Sequence, residues 1–370
     1  MERNAWWENM AGPTIYLKQI QQRVKSNSSA ILRTPDRLPY AEDMRRVMDQ
    51  RIHEDTPGLI LDFADSDDVD GMSPAEFILS RYGKNGIGNL YRGTSGETVQ
   101  KYIRKNDIMK DRALWLHDLN PGQRSAWEEF IRGYNFRSNR NGVFILETPD
   151  EPKRAGADDE CHYSDTITSY DYQIYNNYMC AGLRLKQSQK RYLATVATYV
   201  YDNRIEVAEV FFQRVATRMT ELTDVIREIN TENGIDSKNL NDKLLMAQQE
   251  ALYSMLYAER RDLIRKHYDR IQTGLRYEFI TLNGKPSYLF NQQGERITDP
   301  YDAEINLLYF MTNAHYYDRP KQCLLVIGNA DQKRLRLMHD MRNNLSHNDC
   351  CTDEQVQAFL ADYPFFDQTV

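Results

Sequence analysis

The segment Arg342-Asn343-Asn344-Leu345-Ser346-His347 combines residue types suited to acid–base chemistry on a phosphate ester. Histidine is the side chain that titrates closest to neutral pH, so His347 can take or give a proton. Arg342 can hold two phosphate oxygens through paired donors and stabilise charge that develops in a transition state. Asn343 can orient the phosphate or the imidazole. We therefore select Arg342, Asn343 and His347 as candidate catalytic residues.

The setting of this segment distinguishes it from similar pairs elsewhere. An arginine four to seven residues before a histidine also occurs at Arg112/His117, Arg334/His339, Arg260 or Arg261/His267, and Arg46/His53. In the copy at 342 an asparagine follows the arginine, and an apolar row precedes the histidine at helical spacing: Leu335, Met338, Met341 and Leu345. At about 100° per residue Asn343 and His347 share one helix face, whereas Arg342 lies well round the axis from His347 and could reach the site along its stem or through a local kink.

The Arg-Asn-x-x-x-His pattern in a helical setting resembles the signature of HEPN domains, and the resemblance spans at most about residues 240–365. It implies an all-helical bundle and a metal-independent endoribonuclease that leaves 2′,3′-cyclic phosphate ends. One chain supplies a single histidine in the motif, so two acid–base roles imply a homodimer with the motifs meeting across a symmetric interface. The alternative is structural: His347 caps the helix and Arg342 pairs with an acid, for which Glu304 is the candidate.

The charge distribution limits how RNA could be bound. The chain has a net charge of −7 and a pI near 5.6, so extended electrostatic binding of nucleic acid is not expected. Residues 318–347 contain six Lys or Arg residues and three acidic residues, a local excess of positive charge. We expect RNA contact to be local and assign Lys333, Arg334 and Arg336 as candidate substrate-binding residues, with Glu304 in a supporting position.

The first 150 residues alternate short apolar runs with helical patterns. The runs 28–35, 59–65, 112–119 and 142–148 predict strands, each separated from the next by a predicted helix. Such alternation predicts a parallel sheet with right-handed crossovers. The fold class expected is therefore α/β plus all-α: a three-layer parallel-sheet domain over 1–150, a transition over 151–187, and a helical region over 188–370.

The order of strands and polar residues resembles P-loop NTPases of the AAA/STAND type. Asp118 follows the third strand where a Walker B acid stands, and Glu147 and Thr148 end the fourth where a sensor stands. After the first strand, however, RTPDRLPYAED replaces the glycine-rich phosphate loop and its Lys-Ser/Thr pair. The glycine cluster 84–97 fits neither the P-loop nor the dinucleotide fingerprint. We predict a degenerate domain without nucleotide hydrolysis, and 84–97 is the place to look for nucleotide.

Other features narrow the class of protein. The five cysteines lack metal-ligand spacing, which favours reduced thiols, and we expect neither metal nor cofactor. No apolar stretch approaches the ~20 residues needed to cross a bilayer, and the N-terminus lacks a secretory apolar core, so we expect a cytoplasmic protein without membrane contact. Residues 283–284, Asn-Gly, predict a tight hairpin turn between helices.

Three hypotheses about function remain. The first is a HEPN-like ribonuclease effector controlled by a non-hydrolysing α/β sensor domain, as in toxin or anti-phage systems that resemble this layout. The second is a non-catalytic scaffold that binds protein partners in a multi-protein defence complex. The third and weaker one is a HEPN partner of a nucleotidyltransferase, in which the same motif receives a modification.

Overall fold

A computed structural model of the chain describes residues 5–83, 91, 97–134, 142–150, 159–202 and 204–363. Contacts group the chain into two compact units, residues 1–175 and 176–370, which are described separately below. Most of the glycine cluster 84–97, and residues 151–158 at the start of the predicted transition, lie outside the described residues.

The first unit contains a five-stranded sheet whose strands all run parallel. Its order is β2-β3-β4-β1-β5, and the strands are β1 (Ala30–Thr34), β2 (Ile60–Ala64), β3 (Arg112–Leu116), β4 (Val143–Pro149) and β5 (Glu160–His162). The four predicted strands are confirmed. The fifth strand was not predicted, and it pairs with β1 from Ile31 to Arg33 at the edge of the sheet.

Helices of the first unit follow the predicted alternation. They are α1 (Ala5–Asn9), α2 (Ala11–Lys25), α3 (Ala41–Asp55), α4 (Pro74–Tyr82), α5 (Val99–Lys105), α6 (Pro121–Tyr134) and the first part of α7 (Ser169–Ala181), a helix that continues past residue 175. Helix α4 begins at Pro74, because Ser73 and Glu76 form a capping box and proline is favoured at the first helical position. The apolar strands β3 and β4 are buried, and α4, α5 and α6 contribute to the core beside them.

The N-terminal aromatic residues are part of the core of this unit. Trp6 and Trp7 are fully buried. Trp6 stacks on Tyr172 with ring centroids 5.0 Å apart and meets Tyr175 edge-on at 5.3 Å. Gly12 donates its backbone N–H to Asp171 at 2.9 Å. Trp6 and Gly12 are therefore packed against the first part of α7, about 160 residues further along the chain.

The second unit is helical, as predicted. Its helices are α8 (Gln187–Tyr201), α9 (Ile205–Val215), α10 (Leu222–Glu232), α11 (Leu240–Lys266), α12 (Tyr268–Arg276), α13 (Ile305–Asn313), α14 (Asn329–Ser346) and α15 (Asp353–Ala361). Helix α11 packs against α8 and α14, and α13 packs against α14. The predicted hairpin is present as β6 (Phe279–Ile280) and β7 (Pro286–Ser287), with Gly284 at a positive φ of 70° in its turn. Among the described helices, none is both long and apolar enough to span a membrane.

Candidate functional site on helix α14

Helix α14 has one buried face and one polar face. Leu335, Met338, Met341 and Leu345 have no exposed surface, which confirms the apolar row read from the sequence. The helix ends at Ser346, and His347 is its C-terminal capping residue. The last two turns therefore display polar side chains outward while the opposite side is fixed in the bundle.

Arg342 lies close to the predicted supporting residue. Its Nη1 atom donates to Ser346 Oγ at 3.3 Å, and its Nη2 atom is 4.0 Å from Glu304 Oε2. Glu304 immediately precedes α13 and more than half of its side chain is exposed. At this distance and exposure the pair adds little stability, so Arg342 can exchange Glu304 for an anionic ligand at small cost.

Asn343 contacts a histidine that the sequence did not single out. Asn343 Nδ2 lies 3.1 Å from His339 Nε2, and His339 Nδ1 lies 3.0 Å from Asp340 Oδ1. The His339 ring also stacks on Tyr309 of α13, with centroids 4.2 Å apart. With the Asn343 amide N–H donating to His339 Nε2, the Nδ1 atom is the one that can donate to Asp340.

His347 is exposed at the end of the helix. Its backbone N–H bonds to the carbonyls of Asn343 and Asn344 at 3.0 and 3.1 Å, whereas among the described residues its ring has no hydrogen bond or ion pair. The structure thus brings Arg342 near Glu304 and Asn343 near His339, and it leaves the His347 ring facing solvent. We call the surface formed by Tyr309, His339, Arg342, Asn343 and His347 the α14 face.

The three candidate RNA-binding cations differ in their availability. Lys333 is exposed, and the exposed Arg336 has only Asp340 at 4.0 Å. Arg334 instead forms a paired ion bridge to Glu259 of α11 and donates to the Phe359 carbonyl at 2.8 Å. Burial raises the pKa of Glu259 and Arg334 counteracts it, the net direction being upward. Arg334 therefore joins α11, α14 and α15, and its guanidinium is already occupied.

A second polar site lies at the carboxyl ends of the strands in the first unit. A cleft of about 400 Å³ is lined by the loop after β1, the start of α3, and the residues that follow β3 and β4. This is where open α/β sheets bind ligands. Its charged lining residues are Asp36, Arg37, Arg45, Asp118, Arg124 and Glu147. We call it the sheet-edge cleft.

Arg45 forms ion pairs with Asp118 and Glu147, the two acids identified by the resemblance to NTPases. Its guanidinium makes two bonds to Glu147, at 2.9 and 2.8 Å, and lies 3.5 Å from Asp118. Trp115 Nε1 donates to the same Glu147 at 2.7 Å. Burial lowers the pKa of Arg45, but the bonds to Glu147 and the charge of Asp118 raise it above its usual value.

The sheet-edge cleft does not fit a magnesium nucleotide. Arg45 already pairs with the acids that would face the metal. The loop 35–39 supplies Pro35, Pro39 and Arg37 in place of the glycines and the lysine of a P-loop. Tyr40, which precedes α3, and Asp118 both have positive φ, at 46° and 52°. Non-glycine residues in this region are strained and are found at binding sites more often than elsewhere. The described residues also contain no cluster of metal-ligating side chains.

Comparisons with known proteins leave the family open. No protein-family model matches the chain, and no curated protein matches it in sequence. Among solved structures, it is similar to a point mutant of RuvB from Thermotoga maritima, at 12% identity over 64% of this chain and 74% of that chain. The TM-score is 0.34, which is too low to support an argument about fold or function.

Proposed function

We propose that the chain is a ribonuclease effector that contacts RNA at the α14 face. The observation that carries the proposal is that the last two turns of α14 and its C-terminal cap carry a half-buried cation with a weak partner, Arg342, and two imidazoles, the half-buried His339 and the exposed His347. Lys333 and Arg336 add exposed positive charge on the same helix. Tyr309 provides an aromatic ring beside His339, on which an unpaired base can stack.

In the proposed reaction an imidazole removes the proton of a ribose 2′-OH. The 2′-oxygen attacks phosphorus, the bond from phosphorus to the 5′-oxygen breaks, and a second imidazolium protonates the leaving oxygen. The products are a 2′,3′-cyclic phosphate and a 5′-hydroxyl. Arg342 stabilises the charge that develops on the phosphorus oxygens. For His339 to act as base, the Asn343 amide must leave Nε2.

The distance between the two histidines of one chain favours a dimer. His347 lies eight positions after His339, which places the two residues about 12 Å apart along the helix axis. The 2′-oxygen and the 5′-oxygen at one scissile phosphate are much closer together than that, so these two histidines cannot act on both. We therefore propose that the two acid–base groups come from two copies of the chain that meet around the α14 face, as the HEPN resemblance implies.

The first unit is proposed to act as a sensor without hydrolysis. Arg37 and Arg124 line the sheet-edge cleft beside the Arg45 bridge, so its ligand would be an anion bound without metal. In this proposal binding there controls the nuclease in a toxin-type or anti-phage system. The cleft's lack of a phosphate loop supports a binding role over NTP hydrolysis.

A non-catalytic scaffold in a defence complex is the second candidate. It is favoured by a specific observation: Asn343 bonds to His339, and Arg342 bonds to Ser346 and lies near Glu304. Motif residues that bond to one another in this way can simply stabilise the end of α14. In that case the α14 face would bind a protein, and substitutions there would leave RNA intact.

The two candidates are separated by RNA integrity. The wild-type chain, His347→Ala and His339→Ala would be expressed in cells with and without phage challenge, with His53→Ala as a control because His53 is an exposed histidine in the other unit. Total RNA would be sequenced for new 2′,3′-cyclic phosphate ends. Cleavage by the wild type and His53→Ala, lost in both α14 variants, would support the nuclease. Intact RNA with every chain under both conditions would contradict it.

A further inference from the structure

Cys323 and His315 form a close pair at the surface of the helical unit. Cys323 Sγ lies 3.6 Å from His315 Nε2, and the two residues are antiparallel bridge partners. Both residues are partly exposed, so a small reagent can reach them. A thiol in contact with an imidazole is the arrangement that activates cysteine nucleophiles, because the imidazole accepts the thiol proton.

Backbone bonds on both sides of the pair hold it in register. Leu324 donates to the Ala314 carbonyl at 2.8 Å, and Tyr316 donates to the Gln322 carbonyl at 3.1 Å. The His315 carbonyl in turn accepts from Ile280 of β6 at 3.0 Å. Backbone hydrogen bonds therefore hold Cys323 Sγ beside His315 Nε2, and the segment that carries His315 is in turn bonded to strand β6.

The other four thiols lie in environments that disfavour the thiolate. Cys161, Cys180 and Cys351 are buried, and burial raises the pKa of each, to about 12 for Cys180 and Cys351. Cys350 is partly exposed, but burial and the neighbouring Asp349, Asp242 and Asp353 raise its pKa as well. Cys350 is thus an internal control: a comparably exposed thiol among acids instead of beside an imidazole.

We propose that Cys323 is a reactive thiol whose oxidation by hydrogen peroxide is promoted by His315. His315 takes the thiol proton, and the sulfur attacks one peroxide oxygen. The O–O bond breaks, and the leaving hydroxide takes the proton back from the imidazolium to form water. The sulfur is oxidised to a sulfenic acid and the peroxide is reduced. This site is separate from the α14 face and stands whether or not the chain cleaves RNA.

The test measures each thiol of the reduced, full-length protein. Iodoacetamide would be added near neutral pH, and peptide mass spectrometry would follow alkylation at each cysteine with time. We expect Cys323 to react about tenfold faster than Cys350, because an imidazole lies beside the Cys323 sulfur to take its proton, whereas acids surround Cys350. His315→Gln should remove most of that advantage and leave the Cys350 rate unchanged, whereas the control His53→Gln should change neither.

A second experiment exposes the reduced protein to hydrogen peroxide. Cys323 should gain one oxygen atom and react with a sulfenic-acid trapping reagent, and Cys323→Ser should lose both signals. Equal alkylation of Cys323 and Cys350 in the wild type would overturn the proposal without any variant. An unchanged Cys323 rate in folded His315→Gln, or a wild-type Cys323 that alkylates quickly but resists peroxide, would overturn it too.

Discussion

Arg45 is the residue on which the charge balance of the sheet-edge cleft depends most. Replacing it with methionine would leave Glu147, whose side chain is 9% exposed, with the Trp115 N–H as its one remaining partner among the described residues. Because removing one partner of a buried ion pair leaves an uncompensated charge, we expect Arg45→Met to lower the free energy of unfolding by about 3 kcal/mol. Urea unfolding followed by tryptophan fluorescence measures this, since all four tryptophans lie in the first unit.

The adjacent Arg46 is the matched control for that measurement. Its side chain is 62% exposed and pairs with Asp43 three residues earlier on α3. We expect Arg46→Met to change stability by less than about 1 kcal/mol. Equal losses in the two variants would mean that the Arg45–Glu147 bridge contributes no more than a surface pair.

Glu160 gives a pH-dependent prediction. Burial raises its pKa, but Arg33 and Arg132 at 2.7 and 2.8 Å outweigh that effect and lower it to about 2. A carboxyl whose pKa is lower in the folded state stabilises the fold above its unfolded pKa, and this stability is lost as pH falls. The stability difference between wild type and Glu160→Gln should therefore be largest above pH 4.5 and shrink as pH falls toward 2.

The same fluorescence-detected urea titrations, repeated over a pH series, measure that difference. Glu129→Gln, an exposed position on α6, should alter stability by no more than about 0.5 kcal/mol at any pH. A difference between wild type and Glu160→Gln that stays constant down to pH 2 would contradict the lowered pKa.

The sequence predicted part of the α14 face and could not have predicted the rest. Asn343 is four residues from both His339 and His347, so helical spacing alone treats the two partners alike. The choice is made by tertiary structure, because α13 places Tyr309 against the His339 ring while the helix ends at Ser346, before His347. The roles of Arg342, Asn343 and His347 in catalysis remain predictions.

At the scale of elements, short apolar runs correctly predicted the strands whose side chains are buried in the core. Strands β3 and β4 are continuous buried runs between loop signals, and the sequence shows both. Strand β5 has three residues, Glu160-Cys161-His162, and no apolar run. It is a strand because β1 pairs with it and because Glu160 binds Arg33, and both are long-range contacts that local pattern does not reveal.

The packing of helix α2 on the first turn of α7 and the residues just before it gives an element-scale prediction. A Cβ atom at Gly12 would lie 2.6 Å from the Thr166 carbonyl and 2.7 Å from Asp171 Oδ2. We expect Gly12→Ala to destabilise the first unit by about 1–3 kcal/mol through overpacking. The control is Gly122→Ala in the first turn of α6, where the nearest atom is at 3.4 Å and the change should be within about 1 kcal/mol. Urea midpoints of the two variants compare the sites, and equal midpoints would show that α2 can shift freely.

At the scale of the whole molecule, the extent of the first folding unit can be tested with fragments. A domain ending at residue 150 would lack β5, whose residues pair with Ile31–Arg33 and supply Glu160 to the buried Arg33. It would also lack Tyr172 and Tyr175, on which Trp6 packs, and Asp171, which binds the Gly12 N–H. We therefore expect the fragment 1–182, which includes α7, to unfold cooperatively in urea with native-like tryptophan emission.

The fragment 1–150 should show red-shifted emission and no cooperative transition, because its edge strand and N-terminal aromatic residues have lost their partners. If the two fragments unfolded with the same midpoint, the compact unit would end near residue 150, and β5 with the start of α7 would be dispensable additions to it.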